Sequence, residues 1–342
     1  MSDFVIHKGL RTSGSFARHY GAGTREIHFS STYRTKVVLD DGRAGLGSCL
    51  GCGHAPCMEK QTSELSLAGA LEVYPGDPSL EVCPSRAIEW DKKSAAAVVI
   101  QDACIGCGLC ISRCPYGAIN LHDGTVAKVQ TDDPDRLISL DASQRDHSSP
   151  ILSGPIGKLD ALAAAALPVT VGGLSDSKAA LFIRNLLNEI GLNARVRRRG
   201  DTNMRIDAVG YSRSERPFVA EIELSGAVLE SPRALLEDVA ILHARYGYAV
   251  SDIDPISVIL SFPNIRSEYY QVIRDIDKIL GLKVRTITVG ALIALLWSHK
   301  KIEAFSDDTF LLGEGLADLS ASLNIDDSDL IEPYSGAFKP AK

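Results

Sequence analysis

The strongest hydrophobic rhythm lies between residues 175 and 300. Over 175–190, Ala179, Phe182, Ile183, Leu186, Leu187 and Ile190 recur at helical spacing, and Gly191 follows as a stop. Three shorter runs, 194–198, 204–210 and 218–224, read as strands. A second helix is expected from Ser231, its cap, through Pro232 in the first turn to Tyr246, with Gly247 closing it. A buried strand (256–262), a helix (268–280), a strand (284–289) and a last apolar helix complete the series. The order α-β-β-β-α-β-α-β predicts a mixed sheet flanked by helices. Nearer the N-terminus, residues 24–38 alternate as strands do, and LDDG at 39–42 supplies a turn. Asp, Ser and Pro dominate 130–157 without any sustained period, as in a linker. The expected division is a first domain over 1–129, a linker over 130–174, a second domain over 175–302 and a tail over 303–342.

Composition changes this picture little, and charge changes it locally. At 342 residues, 45% hydrophobic and 23% charged, the chain suits packed globular domains. The N-terminal MSDFVIHKGL lacks an apolar signal core, and no apolar run reaches the ~18 residues of a membrane span, so a soluble cytoplasmic protein without a membrane partner is expected. The net charge of −7 conceals a basic stretch over 178–216, nine Lys or Arg against four acids. Over 303–338 there are nine acids and no Lys or Arg. The acidic tail reads as solvated, or alternatively as a cover for the basic surface.

All eight cysteines fall between Cys49 and Cys114. Cys104, Cys107, Cys110 and Cys114 follow C-x2-C-x2-C-x3-C with Pro115 directly after, which is the bacterial-type iron–sulfur ligation run. Cys49, Cys52 and Cys57 form a looser C-x2-C-x4-C set. Cys83-Pro-Ser-Arg-Ala-Ile repeats Cys114-Pro-Tyr-Gly-Ala-Ile, so the region is an internal duplication. Residues 45–120 resemble a two-cluster [4Fe-4S] ferredoxin domain. In that family each cluster takes three cysteines from one half and the Cys before Pro from the other. The resemblance implies two [4Fe-4S] clusters, one on Cys49, Cys52, Cys57 and Cys114, the other on Cys104, Cys107, Cys110 and Cys83. The 25 residues between Cys57 and Cys83 exceed the family pattern and are expected to form a helix and loop over one cluster. Clusters so held could carry electrons or staple the fold.

In FVAEIELSG, period two sends Phe218, Ala220, Ile222 and Leu224 to the core and leaves Glu221 and Glu223 together on the other face, about 7 Å apart. With Asp207 on a neighbouring strand they could make an oxygen-ligand pocket for Mg²⁺ or Mn²⁺. The alternative is the solvated face of an edge strand. Residues 175–290 resemble the PD-(D/E)xK nuclease superfamily, on the element order and on D-x13-E-x-E, with Glu223 where that family usually has Lys. The resemblance implies that Asp207 and Glu221 hold the metal, that Glu223 assists the attacking water, and that Glu189 is an outer ligand. Arg195, Arg197, Arg198 and Arg199 would then meet DNA phosphates. The expected fold class is thus α+β, a ferredoxin-like dicluster domain followed by an α/β mixed-sheet, restriction-endonuclease-like domain. Expected function is divalent-metal-assisted DNA binding or cleavage. The rival is an electron-transfer ferredoxin whose second domain docks a redox partner protein.

Overall fold

The computed structural model describes residues 2–6, 24–25, 36–39, 55–92, 96–100, 103–113, 119–122, 127–131, 171–225, 227–297, 301–305 and 334–340. They belong to two compact units. Unit 1 takes residues 1–60 and 81–154, and unit 2 takes residues 61–80 and 155–342.

Unit 1 contains β1 (Ser2–Ile6), β2 (Thr24–Arg25), β3 (Lys36–Leu39), β4 (Ile88–Asp91), β5 (Ala96–Val99), the short helix α1 (Leu109–Arg113), β6 (Ile119–His122) and β7 (Ala127–Thr131). β1 pairs antiparallel with β7 and parallel with β2. The pairs β3–β6 and β4–β5 are both antiparallel. Within the described residues the chains beside Cys57 and Cys83 are tied together: the Val82 N–H donates to the Met58 carbonyl (3.0 Å), and Glu59 bridges Glu81.

Unit 2 is built on one five-stranded sheet in the order β12-β11-β10-β9-β8. Its elements are α2 (Asp176–Glu189), β8 (Asn193–Val196), β9 (Ala208–Tyr211), β10 (Pro217–Glu223), α3 (Ser231–Tyr246), β11 (Asp254–Ile259), α4 (Glu268–Leu280), β12 (Arg285–Thr288) and α5 (Val289–Trp297). β8, β9 and β10 form an antiparallel meander; β11 and β12 continue it in parallel, joined through α3 and α4. The mixed sheet expected from the hydrophobic pattern is present. α2 packs on β8 and against α5, while α3 packs on β10 and β11 and against α4. Every residue of β11 and β12 is buried, as strands covered on both faces must be. α4 ends as its sequence predicts, on Gly281 at φ +65°, and Ser267 Oγ caps its start by accepting from the Tyr269 N–H.

Gly210 sits where β9 passes closest to its neighbours. A Cβ there would overlap the Asn193 carbonyl oxygen and come within 2.7 Å of the Phe218 ring. Only a residue without a side chain fits between those two strands.

Two expectations are corrected. The long excursion between Cys57 and Cys83 does not lie with the cysteines: residues 61–80 belong to unit 2. They form two 3₁₀ turns, Thr62–Leu65 and Gly69–Val73, and bury Leu65, Leu67, Leu71 and Tyr74. The Tyr74 hydroxyl donates to the Ile206 carbonyl (2.9 Å). The Asp77 N–H donates to the Val196 carbonyl (2.8 Å) and the Arg198 N–H to the Pro75 carbonyl (2.9 Å), next to a bridge between Gly76 and Arg197. The physical reason is the unpaired edge of β8, the outermost strand of the sheet, whose backbone groups this segment satisfies. Nor is the acidic tail wholly solvated. Phe305, Ala337 and Phe338 are buried, and the Phe262 N–H donates to the Gly336 carbonyl (2.7 Å). Residues 306–333, which hold most of the tail's acids, lie outside the described residues.

Candidate functional site

The cysteine loop of unit 1 is shaped by two glycines in the left-handed region, Gly106 (φ +75°) and Gly108 (φ +83°). Each stands directly before or after Cys107, so the chain can coil tightly enough to turn Cys104, Cys107 and Cys110 inward. Those three sulfurs and Cys83 line one small cavity, closed by Ile88, Val99 and Leu109. Cys104, Cys107 and Cys110 are buried. Backbone N–H groups point at the sulfurs: Ala87 donates to Cys83 Sγ (3.2 Å) and Gly106 to Cys104 Sγ (3.4 Å). Burial, then the neighbouring sulfurs, push the Cys107 and Cys110 thiols well above their usual range. A set of thiols that repel one another's ionisation in a dry cavity is relieved by a cation-rich group that takes them as thiolates.

This donor set fits a cluster better than a lone ion. Among the described residues no three His, Cys, Asp or Glu side chains converge as ligands of a single metal ion. Ligands of a multi-atom cluster are spread around it, and these four cysteines line one cavity. Cys83 lines the same cavity as Cys104, Cys107 and Cys110, the four that the ferredoxin resemblance groups together. Of the other set, Cys57 is buried and within electrostatic reach of Cys110. Cys49, Cys52 and Cys114 lie outside the described residues. Arg113, the residue before Cys114, donates through Nε to the carbonyl of Pro56, the residue before Cys57 (2.6 Å).

In unit 2 the sheet brings the sequence-chosen carboxylates into one neighbourhood without making them a metal trio. Asp207 precedes β9; its Oδ1 accepts from Arg197 (3.2 Å) and its Oδ2 from the Ile222 N–H (3.2 Å). Glu223 turns to Ser225, accepting from its N–H (2.7 Å) and from its hydroxyl. Glu221 is held up at about 8 by burial first, then by Asp207, Asp238 and Glu223, with Arg197 opposing. Each oxygen of Asp207 thus accepts a hydrogen bond, and among the described residues no metal-ligand trio forms from it. Glu189 is not brought to these residues. It ends α2, whereas the other end of that helix lines the cavity that Asp207 and Glu223 share, ~20 Å away at 1.5 Å per residue.

Sequence reading missed Asp238. It sits in α3 among Leu235, Val239 and Leu242, on the helix's buried face, and is 2% exposed with Oδ2 lacking any hydrogen-bond partner. Burial and Asp207 raise it to about 7. An acid on an otherwise apolar helical face was the signal available.

The arginine run divides just beyond the end of β8. Arg195 lies flat against Gly76, with Nε buried and without a partner; Arg197 is tied to Asp207 and to the Met204 carbonyl (2.8 Å). Arg184 is buried and donates to the Ser79 carbonyl (2.8 Å), its pKa lowered to about 10 by desolvation. Only Arg198 and Arg199 of the four predicted phosphate contacts are exposed.

The family model described as the LdpA Fe-S cluster-binding domain matches residues 75–125, which hold Cys83, Cys104, Cys107, Cys110 and Cys114. The chain carries a ferredoxin-like iron–sulfur cluster-binding domain. It is 50% identical over 46 residues to an uncharacterized ferredoxin of Methanocaldococcus jannaschii, covering 14% of this chain and 26% of the relative. It is 46% identical over 44 residues to the electron transport protein HydN of Escherichia coli K12, covering 13% and 24%. Against the iron–sulfur subunit ArrB of the arsenate respiratory reductase of Shewanella sp. it is 38% identical over 56 residues, covering 16% and 24%. The chain therefore spans about a quarter of the length of these relatives. No solved structure matches the chain. No described helix is long and apolar enough to cross a membrane.

Proposed function

We propose that the protein is an electron-transfer protein whose unit 1 holds two [4Fe-4S] clusters and exchanges electrons with a redox partner protein. The observation that carries this reading is the single cavity formed by Cys83, Cys104, Cys107 and Cys110, within the stretch that the iron–sulfur family model matches, in a chain similar to a ferredoxin and to an electron transport protein. Cys49, Cys52, Cys57 and Cys114 would hold the second cluster. A bound [4Fe-4S] cluster supplies one-electron chemistry, its potential set by hydrogen bonds to sulfur and by exclusion of water. The chain contributes both, through the amides of Ala87 and Gly106 and the apolar walls Ile88, Val99 and Leu109. The test is anaerobic purification followed by iron and sulfide analysis and a redox titration read by electron paramagnetic resonance. Reversible one-electron reduction of both clusters is expected. Clusters that bleach or fall apart on reduction would mean a structural role and end the carrier reading.

A second reading keeps metal-assisted DNA hydrolysis in unit 2. It is favoured by the gathering of Asp207, Glu221 and Asp238 at one end of the meander, where Asp238 Oδ2 is unpartnered. It requires Asp207 to leave Arg197 for Mg²⁺ or Mn²⁺, and Glu221 to ionise. Plasmid incubated with either ion beside Glu221→Ala separates the readings: cleavage by neither protein, or by both alike, removes the nuclease.

A further inference from the structure

The four cysteines around the cavity of unit 1 are not equivalent. Cys104, Cys107 and Cys110 are buried, whereas Cys83 is only partly so. Two groups reach the Cys83 sulfur: the Ala87 N–H at 3.2 Å and the Ser85 hydroxyl at 3.6 Å. Ser85 itself lines the cavity. A cysteine that ligates iron has given up its proton and can only accept, so the Ser85 hydroxyl is then the donor.

The backbone puts the hydroxyl there. The Arg86 N–H donates to the Cys83 carbonyl (3.2 Å), closing a turn with Pro84 and Ser85 at its centre. Arg86 leaves that turn at φ +53°, with its Nε on Glu81 (2.7 Å). In the second copy of the repeat, Tyr116 and Gly117 stand at the positions of Ser85 and Arg86. A serine carries its hydroxyl directly on Cβ, within reach of a sulfur two residues back. A tyrosine carries its own at the far end of a ring. The duplication is therefore unequal at the one position where a side chain donates to a cluster sulfur among the described residues.

We propose that Ser85 is a positioning residue for electron transfer: its hydroxyl, bonded to Cys83 Sγ, raises the reduction potential of the cluster held by Cys83, Cys104, Cys107 and Cys110, and of that cluster alone. The proposal rests on the redox reading of unit 1. One electron arrives from the redox partner protein, and no bond or proton is exchanged at Ser85. The thiolate ligands carry part of the added negative charge. A hydroxyl dipole aimed at one of them stabilises the electron-rich state more than the electron-poor one. Cys83 is where such a donor matters, because at a partly exposed sulfur a fixed hydroxyl takes the place of passing water.

The experiment is an anaerobic redox titration of the cluster-loaded full chain, read by electron paramagnetic resonance, for the wild type, Ser85→Ala, Ser85→Thr and Ser85→Val. Thr and Val share a shape and differ in the hydroxyl, so that pair separates hydrogen bonding from packing. Ser85→Ala and Ser85→Val should lower the midpoint of the signal that Cys83→Ser removes. The expected shift is about tenfold in the reduction equilibrium, ~59 mV for a one-electron couple. Ser85→Thr should restore most of it, and the other signal should stay in place. Resonance Raman spectra of the oxidised protein read the bond without any reduction: the bands of iron–cysteine sulfur stretching should move between Ser85→Thr and Ser85→Val and lose part of their sensitivity to D₂O. Equal midpoints for Thr and Val, equal shifts in both signals, or unmoved Raman bands would overturn the proposal. So would loss of iron in the variants that lack the hydroxyl, which would make Ser85 a structural support. A wild type that falls apart on reduction ends the redox reading and this proposal with it; a reversible wild type with an unshifted Ser85→Val ends this proposal alone.

Discussion

Buried acids decide much of unit 2's behaviour at the scale of single residues. Glu221 and Asp238 both have folded-state pKa values raised above the usual carboxylate range, chiefly by burial. The folded chain therefore binds protons that the unfolded chain has already released. Stability should be highest near pH 4–5 and decline as pH rises towards about 8, where Glu221 has ionised. Glu221→Gln should remove part of that decline, stabilising the protein at pH 8 by on the order of 1 kcal/mol after solvent screening, and little at pH 5. Urea unfolding at the two pH values measures both terms. Gly210 makes an opposite kind of demand. Gly210→Ala forces a methyl group into the Asn193 carbonyl and the Phe218 ring, and should cost about 3 kcal/mol or more in the same assay.

Among elements, the cysteine loop and α1 act together. Gly106 and Gly108 curl the loop, α1 carries Cys110, and Arg113 at its end grips the Pro56 carbonyl. Because Cys83 lines the same cavity as Cys104, Cys83→Ser and Cys104→Ser should damage the same cluster. Each should lower iron content towards about half and remove one of the two paramagnetic resonance signals, leaving the other. If the two variants lose different signals, the crossed arrangement is wrong. Arg113→Ala should instead loosen the link between α1 and the chain before Cys57. Faster loss of iron on exposure to a chelator is the expected readout, with initial iron content unchanged.

For the whole molecule, the notable fact is that one short segment changes allegiance. Residues 61–80 are bracketed in sequence by two cluster cysteines, yet they complete unit 2 by sealing β8 and covering Arg184. Replacing 61–80 with a Gly/Ser linker should therefore lower the unfolding midpoint of unit 2 while leaving iron content intact. Tyr74→Phe, which removes only the hydroxyl's bond to the Ile206 carbonyl, should have a milder effect of about 1 kcal/mol. An insertion that merely padded the cluster would give the reverse pattern, loss of iron with an unchanged midpoint.

Much of this was legible in the residues themselves. Cysteine spacing and the C-P-x-x-A-I repeat marked the iron–sulfur region, and the ferredoxin resemblance implied the grouping of Cys83 with Cys104, Cys107 and Cys110, which line one cavity. The helical face from Ala179 to Ile190 and the strand runs predicted the mixed sheet, because side-chain period and backbone period are the same quantity. What the sequence could not supply were the partners across space. Alternation placed Glu221 and Glu223 on one face, but only the folded sheet shows Arg197 and the Ile222 amide occupying Asp207, and Asp238 arriving from α3. A run of arginines looked like one surface; the pairing of β8 with residues 75–77 spends two of them inside and leaves two outside. The sequence by itself determined the presence of an iron–sulfur site, because the spacing of Cys104, Cys107 and Cys110 is local to one loop. Tertiary structure decided the charge balance and the destination of 61–80, since burial and hydrogen-bond competition exist only once distant segments meet.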